Sequence, residues 1–74
     1  MSTYPQFYGM DIKLKFGNKV KQLRQEKGWS QEKLAHTAEI DRTYMPGIEK
    51  GTRNVSIVVA EKLAKALKVS MSEL

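Results

Sequence analysis

Cysteine is absent from this 74-residue chain, histidine occurs once and proline twice. Without a thiol there are no disulfides, no thiolate metal sites and no thiol nucleophile. The lone His36 falls mid-helix without partner ligands and reads as a surface residue. Neither a glycine-rich phosphate loop nor a set of paired carboxylates is present, so no acid–base or nucleophilic constellation can be assembled. The expectation is a non-enzyme with no catalytic residues, no metal, no cofactor and no small-molecule ligand. No apolar run approaches the roughly 20 residues of a membrane-spanning helix. No basic start followed by an apolar stretch suggests a secretion signal either. A soluble, cytoplasmic protein with no membrane partner is therefore expected.

What is abundant is basic charge. Thirteen Lys and Arg against eight Asp and Glu leave a formal net charge of +5, which favours polyanionic partners such as nucleic acid or an acidic membrane surface. Residues 15–29 hold five basic side chains and one acid, residues 30–51 sum to −1 and residues 52–74 to +2. Lys-rich solvated helices would look similar, so charge alone does not choose between partners.

Residues 1–12 mix Tyr, Pro, Gly and Gln without periodicity, and Pro5 and Gly9 interrupt any regular pattern. They read as a flexible N-terminal arm, with Met10 an alternative start, ahead of one domain over 13–74. Tyr4, Phe7 and Tyr8 could pack on that domain or stack on a partner. From Leu14, Phe16, Val20 and Leu23 recur at helical steps until Gly28, which can close the helix in the left-handed conformation. Ser30 is a favoured N-cap for residues 31–38, with Trp29 placed to pack on Leu34 as a hydrophobic staple. Asp41 and Gly51 bracket a third short helix. Ser56 caps a fourth in which Ile57, Ala60, Leu63, Ala64 and Leu67 line one side. Ser70 can open a last turn ending at Leu74. Five short helices without strands predict an all-α domain.

The informative stretch is 31–50, QEKLAHTAEIDRTYMPGIEK, where two short helices stand about three residues apart. That is helix-turn-helix spacing. Two helices that cross steeply and touch need small or apolar contact residues, and Ala35, Ile40, Met45 and Ile48 occupy those positions. Arg42, Thr43, Tyr44 and Gly47 lie between them, facing outward as a recognition helix would present side chains to base edges.

With SQEKLA, the IEKG helix ending and a C-terminal apolar helix in order over residues 14–74, the chain resembles the Cro/C1-type helix-turn-helix regulators of bacteria and phage. More narrowly, DRTYMPGIEKGTRNVSI is similar to the DRTYxxxIExGxRNxS stretch of restriction-modification controller proteins. The resemblance implies a compact, five-helix, lambda-repressor-like domain. Its second helix would lie across the DNA backbone, its third in the major groove, and its C-terminal helices would form a two-fold homodimer. It implies a double-stranded DNA operator with two half-sites, transcription regulation of controller or repressor type, and a nucleoid-associated place in a bacterial or phage-type cytoplasm.

By the same resemblance, Arg42, Thr43, Tyr44 and Gly47 would contact bases, and Gln31, Lys50, Arg53 and Asn54 would contact phosphates. Arg42 suits guanine O6 and N7, Thr43 a thymine, and the helix start at Gln31 a phosphate. Other readings stay open: Gln31 as a solvated first-turn residue, Arg42 paired with Asp41 or Glu39, Tyr44 in the core, and Glu49 bonded to Arg53 or a helix end. Val58, Val59, Val69, Met71 and Leu74 exceed what one core face needs and are expected at the dimer interface.

Two positions depart from the family pattern. Glu39 stands where many members have glycine, at a turn position with positive φ. Pro46 would break a helix that began well before it, so the recognition helix is expected to start late or bend, with the proline in its first turn. An antitoxin-like module of the same fold, with a protein toxin as main partner, is the rival function. It is weakened by the lack of an appended toxin-wrapping segment. A basic amphipathic membrane binder would need longer helices than Gly28, Pro46 and Gly51 permit.

Overall fold

A computed structural model describes residues 4–74, with side chains from Ile12 onward. Four α-helices follow in order, α1 Tyr4–Glu26, α2 Gln31–Ala38, α3 Met45–Lys50 and α4 Ile57–Leu67. Single 3-10 turns occupy Arg42–Tyr44 and Met71–Glu73, and the described residues contain no strand. Of the five expected helices, the last is thus one 3-10 turn.

The backbone of residues 4–12 is helical where an irregular arm was expected. Pro5 is the second residue of α1, and in a first turn its missing amide would have had no intrahelical partner. The side chains of Tyr4, Phe7 and Tyr8 lie outside the described residues, so the packing or stacking considered for them is not addressed.

The helix starts are set by local chemistry. Ser30 Oγ accepts from the Lys33 amide over 3.0 Å, Ser56 Oγ accepts from the Val59 amide over 3.1 Å, and Asp41 Oδ1 accepts from the Thr43 amide over 2.9 Å. Each supplies a partner for an otherwise orphaned first-turn donor. All four α-helices end alike. A left-handed residue, Gly28, Glu39, Gly51 or Lys68, turns the chain so that two successive amides reach back to the last turn. Trp29 and Gly28, for instance, donate to the carbonyls of Arg24 and Gln25. At Gly51 (φ 77°) glycine is needed twice over, because a Cβ there would also stand 2.7 Å from Leu14 Cδ2. Glu39 holds φ 60° without being glycine, a strain of about 1 kcal/mol that the closing hydrogen bonds of α2 sustain.

Pairwise burial of the amphipathic faces holds these short helices together, since none as short as α2 or α3 is stable alone in water. Helix α1 packs chiefly on α3, and α2 on α4. Val20, Leu34, Met45, Ile48, Leu63 and Leu67 are essentially inaccessible, and Ala35, Ala38 and Ala66 fill the narrow contacts between them. Trp29 and Ile40 are half-buried against this core. The four residues placed at the crossing of α2 and α3 therefore all face inward.

Helix α4 requires a correction. Ile57, expected in the core stripe, is 79% exposed. It is the first residue of its helix, and the buried stripe begins later, with Leu63, Ala64, Ala66 and Leu67. Of the five residues expected as surplus apolar surface, Val58 (61%) and Met71 (45%) are exposed. Val59, Val69 and Leu74 are half-buried against the core. No described helix is long and apolar enough to cross a membrane.

Candidate nucleic-acid interface

The junction between α2 and α3 is built on a buried charge. Arg24 of α1 clasps Glu49 of α3 through Nε to Oε2 at 2.7 Å and Nη2 to Oε1 at 3.0 Å. The side chains are 11% and 4% exposed. Arg24 Nη1 also donates to the Trp29 carbonyl at 2.6 Å, and Gln31 Nε2 donates to Glu49 Oε1 at 3.1 Å. The hydrogen bond to Glu49 raises the Arg24 pKa from its ordinary value, against the opposing effect of burial. Three helices are thereby tied at one carboxylate. No buried side-chain polar atom among the described residues lacks a partner.

Glu49 thus bonds structurally as expected, at the ends of two helices, but its charged partner is Arg24 and not Arg53. Gln31 is likewise no merely solvated residue: it is half-buried, with one amide N–H committed to Glu49. Among the described residues its second N–H and its carbonyl oxygen make no hydrogen bond.

Next along the chain, Asp41 fixes the 3-10 turn. Its Oδ1 accepts from both the amide and the hydroxyl of Thr43, at 2.9 and 2.8 Å. These bonds, the backbone one foremost, hold the Asp41 carboxyl below the usual carboxylate range, with Arg42 adding in the same sense. Arg42 pairs with neither Asp41 nor Glu39. Its Nη1 lies 2.9 Å from Glu32 Oε2, and both side chains are about 70% exposed, at 69% and 70%. An ion pair so exposed contributes at most about 1 kcal/mol to folding.

The α-helix proper starts at Met45, placing Pro46 in its first turn. The late start expected from the proline is what the backbone adopts, with Arg42, Thr43 and Tyr44 carried on the preceding turn and all three exposed. Tyr44 is outside the core, 39% exposed, and the Arg53 guanidinium sits 4.6 Å from its ring centroid, within cation–π range. Tyr44, Arg53 and Asn54 border one cleft of about 170 Å³ that runs on to Val59. Gly47 is half-buried beneath Arg53: a Cβ there would stand 3.3 Å from Arg53 Cβ. The missing side chain thus makes room for the arginine, a structural duty beside the base contact expected of it. Lys50 is exposed at the end of α3, and His36 is a surface residue as expected.

Residues 20–74 match the helix-turn-helix family. The chain belongs to that family. Within it, the chain is 52% identical over 65 residues to the control protein C.MunI of a Mycoplasma species, covering 86% of this chain and 88% of that protein. The restriction-modification controller protein C.AhdI from Aeromonas hydrophila superposes with a TM-score of 0.78 at 48% identity, over 81% of this chain and 91% of that one. The controller C.Esp1396I, solved as a tetramer in complex with its natural 35-base-pair operator, superposes with a TM-score of 0.72 at 44% identity, over 77% of this chain and 75% of its own. The Cro/C1-type and controller-like resemblance noted over residues 14–74 is thus matched in sequence and in fold.

Sequence reasoning missed Arg24, Glu32, Gly17 and the exposure of Ile57 as elements of this helix-turn-helix protein. Gly17 is the one with a usable signal, since an isolated glycine within a helical pattern marks a close backbone approach. A Cβ there would crowd the carbonyl oxygens of Ile48 and Glu49.

Proposed function

We propose that the chain is a sequence-specific, double-stranded DNA-binding transcription regulator of the controller type, acting as a homodimer on a two-half-site operator in the bacterial cytoplasm. The observation that carries this reading is the anchoring of Gln31 through Glu49 and Arg24 beside an exposed Arg42–Tyr44 turn. The start of α2 and the reading turn are thereby held in one fixed relation. Gln31 uses its remaining N–H and the first-turn amides to hold a phosphate, which sets register. Arg42 reads a guanine, and Thr43, whose hydroxyl proton is spent on Asp41, offers its methyl and its lone pairs to the neighbouring base pair. Tyr44 stacked under Arg53, with Asn54 and Lys50, grips the flanking backbone.

Selection of bound duplexes from a random pool tests class, specificity and half-site symmetry together. Two-fold related half-sites about one helical turn apart are the expected product. Affinity for the selected duplex falls with salt with a log–log slope near −0.9 per phosphate contact. Arg42→Ala relaxes preference at one base pair by about 1–3 kcal/mol, whereas Arg53→Ala weakens all sequences alike. A salt-insensitive complex, or a pool that returns no preferred sequence, refutes the reading.

A further inference from the structure

Glu32 is the acidic residue that touches the reading turn from outside it. The Asp41 carboxylate is occupied by Thr43, while Glu32, in the first turn of α2 beside Gln31, bonds the Arg42 guanidinium over 2.9 Å. The pair adds at most about 1 kcal/mol to folding, and it also removes freedom from Arg42. A guanidinium has five N–H donors in a planar fork. One on Nη1 goes to Glu32, which leaves Nη2 and Nε able to form the two parallel bonds that guanine O6 and N7 accept. Arg42 can keep Glu32 while it reads a base.

A carboxylate next to a phosphate-binding helix start also repels every duplex, whatever its sequence. The two effects have opposite signs on different DNA. Holding the arginine fork in place helps only where a guanine meets it, and the repulsion acts everywhere.

We propose that Glu32 is a positioning residue for base readout, one that holds Arg42 in its reading geometry and so sets the ratio of operator to random-duplex binding. This rests on Arg42 being a base-reading residue. The test measures anisotropy of labelled duplexes, the selected operator and a random sequence, with the full chain carrying Glu32→Ala, Glu32→Gln, Arg42→Ala and the Glu32→Ala/Arg42→Ala pair.

Glu32→Ala is expected to lower operator affinity by about two- to fivefold while random-duplex affinity holds or rises, and in the Arg42→Ala background to leave the ratio unchanged. Glu32→Gln, which keeps the side-chain shape, gives the same direction and serves as the readout if the alanine variant does not melt like the parent. An equal gain on both duplexes, an unchanged ratio, or an effect that persists without Arg42 overturns the proposal. If Arg42→Ala itself relaxes no base pair, the base-reading assignment fails instead. If it does relax one and Glu32 changes nothing, only the positioning role fails.

Discussion

Single atoms decide the closest approach in the fold. Gly17 brings α1 against the backbone of α3, where a Cβ would stand 2.9 Å from the Glu49 carbonyl oxygen. Backbone cannot swing aside as a side-chain tip can. Gly17→Ala should therefore lower the urea-unfolding free energy by roughly 1–3 kcal/mol. Gly28→Ala, where an added Cβ meets nothing within 4 Å, should lose only the left-handed backbone penalty of about 1 kcal/mol. Equal losses at the two sites would mean that α1 and α3 can separate without consequence. Asp41 supplies the pH dependence at this scale. Its folded-state pKa is depressed by the Thr43 bonds, so its cap is fully in place above the ordinary carboxylate pKa and is lost as pH falls through the lower folded value. In an NMR titration the Asp41 carboxyl and the Thr43 amide should move together, below the midpoint of an unperturbed aspartate. Such caps were legible in the sequence because a cap and its partner are two or three residues apart. Gly17 was not, because its neighbours are far downstream and only the folded chain brings them together.

Between elements, the same distinction separates what periodicity revealed from what it could not. Pro46 acts on its own helix, and the late start of α3 followed from the ring chemistry alone. The Arg24–Glu49–Gln31 cluster joins three helices, and Arg24 looked like any other lysine-or-arginine position on a basic helix. Glu49→Ala leaves a guanidinium that is 11% exposed without its carboxylate, a loss of about 3 kcal/mol or more. It also frees Gln31, so operator affinity should fall beyond what the lowered stability explains. Measurement well below the melting temperature separates the two. Glu39→Gly works in the opposite direction. Its left-handed backbone and its carboxylate at the negative end of α2 both favour replacement. A gain of up to about 1 kcal/mol should raise Tm by roughly 4–8 °C in a domain of this size. An unchanged or lower Tm would show that the Glu39 side chain contributes something that glycine cannot.

For the whole molecule, the core is small, and apolar surface remains outside it. The sequence pattern showed that α4 carries more apolar residues than one face can bury, but not which of them are left over. Ile57 falls on the helical stripe yet precedes the point where α4 meets its neighbours, and it is 79% exposed beside Val58 at 61%. With Met71 at 45%, these residues form the surplus that a two-fold contact would bury, each counted twice because the same patch faces itself. Burying one Val or Ile side chain contributes about 1.5–3 kcal/mol. Val58→Asp should then remove at least about 3 kcal/mol from a dimer, which is more than a hundredfold in its dissociation constant. Since Val58 lies outside the core, the subunit itself should melt near the parent temperature at low concentration. Sedimentation at high micromolar concentration should show the parent as a dimer and the variant as a monomer. The variant should lose most of its operator affinity while binding a single half-site as the parent subunit does. A Val58→Asp protein that remains dimeric would move the two-fold contact away from the start of α4.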